Sequence, residues 1–179
     1  MILIFSTIVA VVLVLLIVIA LQPDQFSVSR SSMIDAPAER VFLQVNNLHN
    51  WQAWSPWAKL DPKAKTTYDG PPEGVGAGYA WNGSKSGAGH MAITESRPHQ
   101  FIRFRLDFEK PFKATNTVEF TFKPQGEGTV VTWTMSGTNN FFCKAIGLII
   151  SCDKMCGSQF EKGLADMKSI AEAEESVRV

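Results

Sequence analysis

The chain has 179 residues, with 17 basic and 17 acidic side chains and a formal net charge of zero. That balance argues against a nucleic-acid partner, which requires a clear basic excess, and against a strongly polybasic lipid-binding patch. Twelve Phe and five Trp imply a large aromatic core or an apolar cavity.

Residues 1–21 carry no charge, and only Ser6 and Thr7 interrupt the apolar run. A bilayer core about 30 Å thick needs roughly 20 apolar helical residues. An uncleaved transmembrane anchor over residues 1–21 is the expected reading. A cleaved signal peptide competes with it, but it would need a basic start and a shorter apolar stretch. Arg30 and Arg40 are the nearest basic residues, both C-terminal to the run. They lean toward a cytoplasmic domain and leave the side of the membrane open. Pro23 ends the helix, and residues 22–25 make a short linker. A single domain follows over residues 26–175.

Residues 26–34 alternate Phe26, Val28, Arg30, Ser32 and Ile34 against serines, the period of a strand. Asp35, Pro37 and Glu39 then open a helix, with Asp35 as cap and Val41, Phe42 and Val45 as its buried stripe. A second short helix or turn covers residues 48–54, and Ser55-Pro56 is expected to end it. Strands follow at residues 65–68, 77–81, 89–95, 101–108 and 112–122. After a hairpin at residues 125–128, a further strand is centred on Val131, Trp133 and Met135. Short Gly-rich turns between them describe an antiparallel meander with one buried face. From Phe142 the period becomes three and four, through Phe160, Leu164, Met167 and Ile170. One amphipathic helix of about 30 residues is predicted, with a kink near Gly157. The fold class is therefore α+β, a curved antiparallel sheet wrapped around a long C-terminal helix.

Particular segments resemble the START-like helix-grip superfamily of polyketide cyclases and lipid-transport proteins, in its membrane-anchored bacterial form. These are residues 34–42 (IDAPAERVF), 51–57 (WQAWSPW), 93–96 (ITES), 131–137 (VTWTMSG) and 160–164 (FEKGL). The likeness extends over residues 26–173. It implies an apolar cavity between sheet and helix, and a hydrophobic small molecule or lipid as partner. Some members of the superfamily are cyclases or hydrolases and others only bind, so the fold leaves the activity open.

The candidate cavity residues are Trp54, Trp57, Tyr79, Trp81, Met91, Ile93, Phe104, Asn116, Phe120, Trp133, Met135, Phe160 and Leu164. Trp51, Trp54 and Trp57 could gate a cavity mouth or plug the end of the core. Asn116 is the one polar residue on an apolar strand face. It could orient a ligand or pair with a neighbour.

No nucleophile–base pair, metal-ligand set or phosphate loop emerges from the spacings. His49, His90 and His99 have no partner at telling spacing. Cys152 and Cys156 lack the further ligands of a zinc site, and with Cys143 they read as small hydrophobes. Glu95 is the best acid candidate if it shares a face with Met91 and Ile93; otherwise it lies in water. A cyclase-like enzyme using Tyr79, Glu95 and Asn116 is the alternative to a binding module. A structural partner for another membrane protein is a third reading. No cofactor or metal is expected.

Overall fold

The computed structural model describes residues 2–139, 141–148 and 152–176. The elements are α1 (Ile2–Ala20), β1 (Gln25–Ile34), α2 (Ala38–Asn46), α3 (Trp51–Trp54) and α4 (Pro56–Leu60). Six strands follow: β2 (Lys65–Asp69), β3 (Gly78–Asn82), β4 (Ala88–Arg97), β5 (Phe101–Lys110), β6 (Ala114–Gln125) and β7 (Gly128–Thr138). Helices α5 (Phe141–Gly147) and α6 (Cys152–Ser176) complete the order.

The strands form one antiparallel sheet in the order β1-β7-β6-β5-β4-β3-β2. Alternation along β6 and β7 buries Val118, Phe120, Phe122, Val131, Trp133 and Met135 on a single face. Helix α6 lies across that face and contributes Phe160, Leu164, Met167 and Ala171 to the same core. Helices α2 and α3 cover the other half of the face. There Trp51 Nε1 donates to the Val45 carbonyl and Trp54 Nε1 to the Gln44 carbonyl, each at 2.9 Å.

Several local expectations are corrected. Ser55-Pro56 ends α3, as expected, but the same pair also starts α4, with Ser55 as N-cap and proline in the first turn, a position that needs no backbone N–H. The N-cap of α2 is Pro37 and no side chain caps it. Asp35 instead donates its backbone N–H to Glu172 of α6. The single 30-residue helix is two helices, α5 and α6, and residues 149–151 between them lie outside the described residues. Gly157 is a packing position: a Cβ there would meet the guanidinium of Arg30, which bridges to Asp153 and Glu161 on either side.

Helix α1 carries no charged side chain, and its side chains are described from Ile4. Among the described residues no helix is long and apolar enough to cross a membrane.

Candidate functional site

A cavity of about 550 Å³ lies between α6, α4 and the β3–β7 part of the sheet. Apolar ligand sites commonly occupy about 300–1,000 Å³. Strand alternation brings Tyr79, Trp81, Met91, Leu106, Phe108, Val118, Trp133 and Met135 to its wall. Helix α4 and the turn after it add Trp57, Leu60, Asp61 and Pro62, and α6 adds Met155, Cys156, Gln159 and Phe160.

Seven candidates from the sequence meet at this wall: Trp57, Tyr79, Trp81, Met91, Trp133, Met135 and Phe160. Trp54, Ile93, Phe104, Asn116, Phe120 and Leu164 are buried beside it without lining it. The division has a physical cause. Trp51 and Trp54 fold back beneath α2 and fill the space over Phe104 and Phe120, with ring centroids 5.3 and 6.2 Å apart for Trp51–Phe104 and Trp54–Phe120. Trp54 is therefore a core plug. Of the three spaced tryptophans, Trp51 and Trp57 reach the cavity.

At the inner wall Trp133 stacks on Phe160, with centroids 4.2 Å apart and planes 7° from parallel. Trp57 meets both rings edge-on. The indole Nε1 of Trp133 is buried without a hydrogen-bond partner, as is Oδ1 of Asn116. The amide Nδ2 of Asn116 faces the Met135 sulfur at 3.9 Å. A buried polar atom without a partner costs free energy. For Trp133 that cost is carried within the stack it forms with Phe160.

The polar part of the wall lies toward the β3–β4 hairpin. Gln52 Nε2 donates to the hydroxyls of Tyr68 and Tyr79. Burial pushes the Tyr79 phenol up, partly offset by the Gln52 hydrogen bond. Asp61 is 5 % exposed and its Oδ2 accepts from the backbone N–H groups of Lys85 and Ser86 and from the Ser86 hydroxyl. Those donors, the Lys85 amide foremost, hold the Asp61 carboxyl below its ordinary range. Asp61 thus latches the hairpin to the end of α4. A carboxylate held ionised in this way is poorly matched to proton transfer near neutral pH. Sequence periodicity could not find it, because it sits in a turn and its partners lie 24 and 25 residues away.

Glu95 does not reach the cavity. A register irregularity between Ile93 and Glu95 turns it to the wet face of the sheet. There it pairs with Arg97 and Arg103, and Arg103 also binds Glu119. His90 pairs with Asp69, His49 stacks on Tyr68 and His99 packs against Phe42, none of them at the cavity wall. Cys156 is half-buried, packs against the core as a small hydrophobe and also lines the cavity. The side chains of Cys143 and Cys152 lie outside the described residues. Among the described residues no group of three or more His, Cys, Asp or Glu side chains could hold a metal ion.

An antiparallel sheet gripping a C-terminal helix around an apolar cavity defines a helix-grip protein. Residues 25–172 match the family described as polyketide cyclase / dehydrase and lipid transport, and the chain belongs to that family. Similar solved structures include a protein of Chromobacterium violaceum, at 16 % identity and TM-score 0.61, covering 82 % of this chain and 96 % of that one. A Rhizobium loti protein matches at 16 % identity and TM-score 0.61, covering 81 % and 96 %. The Aha1 dimer of Colwellia psychrerythraea matches at 13 % identity and TM-score 0.60, covering 82 % and 96 %. These likenesses concern the fold. No functionally curated protein matches the chain.

Proposed function

We propose that this protein is a membrane-tethered module that holds a hydrophobic small molecule or lipid between its sheet and α6. The observation that carries the reading is the cavity wall, aromatic and aliphatic over most of its area. Such a wall favours an apolar body. The family supports hydrophobic ligands as a class. The one buried carboxylate at the wall, Asp61, is occupied with the hairpin.

The tether reading rests on α1. Its 19 residues would extend about 28 Å, and Met1 and Leu21 continue the uncharged run at both ends. Its large side chains from Ile4 to Val18 are exposed, which water disfavours and a bilayer satisfies.

The test is mass spectrometry of organic extracts from the detergent-purified full chain, combined with titration of an apolar fluorescent probe. An apolar molecule enriched over a detergent blank and displaced by the probe is expected. A chain that carries nothing and binds no probe would sink the reading. For the tether, resistance to alkaline carbonate with an intact N-terminus is expected, and loss of about 20 residues would overturn it.

A further inference from the structure

We infer that the cavity mouth faces the same bilayer that holds α1, and that the occupant passes between cavity and bilayer over a rim of lysines and exposed apolar side chains. The inference rests on the tether reading. What it adds is the orientation of the domain and the source of the ligand.

The sheet register shows which end is which. Gln25, where the chain leaves α1, pairs with Thr138; Gly137 pairs with Asn116 and Ala114 with Phe108. Across the rest of the sheet Lys110 pairs with Ala88, Ala88 with Asn82 and Asn82 with Lys65. All these residues mark one end of the sheet. Trp81, Phe108 and the Lys85–Ser86 hairpin bring the cavity wall to that end. Helix α6 also begins there, with Met155 and Cys156 on the wall. The other end is closed by α2, whose Phe42 packs on Phe122 and His99. Neither Phe42 nor Phe122 lines the cavity. The cavity therefore approaches the surface on the side from which α1 projects.

Helix α5 ties the two together. Lys144 donates to the Ala20 carbonyl and pairs with Asp24, while Asn139 donates to the Pro23 and Asp24 carbonyls. The end of α1 is thus fixed to the domain at this end of the sheet.

The surface around the mouth suits a lipid interface. Beyond α1 and Leu21, the exposed large apolar side chains among the described residues are Leu60, Phe112, Phe141, Leu148 and Met155 at this end, against Met33, Leu43 and Val75 elsewhere. Leu60 and Met155 also line the cavity, so the apolar rim is continuous with its interior. The turns at this end carry Lys63, Lys85 and Lys113, with Lys110 at the adjoining end of β5, whereas the far-end turns carry Asp35, Glu73, His99 and Glu127, with Arg97 at the adjoining end of β4. Asp24, Asp61, Glu109 and Asp153 are acids at this end; Asp24 is paired with Lys144, Asp61 with the hairpin amides and Asp153 with Arg30. A neutral chain thus concentrates basic groups beside its apolar mouth. An anionic bilayer surface attracts lysines within a Debye length.

The experiment uses the full chain in vesicles of phosphatidylcholine and phosphatidylglycerol, with the photo-cross-linker benzoylphenylalanine placed singly at position 112, 148 or 127. Covalent lipid adducts after irradiation are read by mass. Adducts at 112 and 148, about tenfold above those at 127, are expected. The pair K110E and K113E should lower the adduct yield at 148 by roughly tenfold, since each lysine near an anionic surface contributes measurably. Equal yields at all three positions, or none at 112 and 148, overturn the inference. Carbonate extraction of the same vesicles separates the two readings. Retention without adducts leaves the tether and sinks the orientation; release with adducts at 112 and 148 sinks the tether and leaves the rim against the bilayer.

Discussion

Gly163 of α6 passes so close to Trp133 of β7 that a Cβ at Gly163 would stand 2.9 Å from the indole Cζ3 and 3.0 Å from Pro56 Cδ. Both neighbours are rings fixed by burial and cannot swing aside as a long side chain would. The glycine lets α6 settle onto the sheet and sets Trp133 against Phe160.

Gly163→Ala should therefore destabilise the fold. Helix propensity alone would favour alanine by about 1 kcal/mol, while overpacking a rigid contact costs about 1–3 kcal/mol. The second effect is expected to win by about 1 kcal/mol in denaturant titration. A variant more stable than the parent would show that α6 is not held to the sheet at this point.

Trp133→Ala is expected to cost about 3–5 kcal/mol, as for other buried aromatic truncations. Trp133→Phe separates packing from the orphan donor. It keeps an aromatic ring facing Phe160 and removes the unpartnered N–H, so its cost should fall below that range. If the donor meets a ligand acceptor, folded Trp133→Phe should lose roughly tenfold in affinity for a carbonyl-bearing apolar probe and little for a hydrocarbon one. Equal affinities of this variant and the parent for both probes would remove Trp133 Nε1 from the site.

Much of this architecture is legible in the sequence because one face of the sheet is buried. Ile102, Phe104 and Leu106 alternate with Arg103, Arg105 and Asp107, and the strand follows. What alternation cannot convey is where the inner face is filled and where it is hollow. Phe104 and Trp81 read alike along the chain. Only the fold-back of Trp51 and Trp54 onto Phe104 and Phe120 shows that one is core and the other cavity wall. Glu95 fails for a similar reason: strict period 2 points it inward, and one irregularity in β4 reverses it. Pro56 reads as a stop because proline cannot continue a helix, yet it serves equally at the start of the next one. Asp61 carries no local signal at all, since its role exists only once the β3–β4 hairpin has folded onto it.

Asp61 also predicts an acid-sensitive latch. Its folded carboxyl titrates below the unfolded value of about 3.9. Its contribution is then fully present above about pH 4 and is lost as pH falls through the folded value. Asp61→Asn should lower Tm at neutral pH, and the gap from the parent should close as pH falls through the folded value. A gap that persists unchanged in acid would mean that charge is not what binds the hairpin.

Asn116 supplies the last prediction. Its Oδ1 is buried and unpartnered, and its only polar contact is a weak one to the Met135 sulfur. The side chain lies over Gly137, where a Cβ would collide with Oδ1. Leucine has a similar volume and carries no polar atom to leave unpaired. Replacing an unsatisfied buried polar group by an apolar one of like shape is close to neutral or stabilising. Asn116→Leu is thus expected to keep or raise stability by up to about 1 kcal/mol, whereas Asn116→Ala should lose stability through the void it leaves. Because Asn116 is not on the cavity wall, apolar-probe affinity should match the parent in the leucine variant. A folded Asn116→Leu protein that binds the probe several-fold more weakly would place this amide in contact with the ligand after all. It would also extend the occupied space past Met135 toward β1.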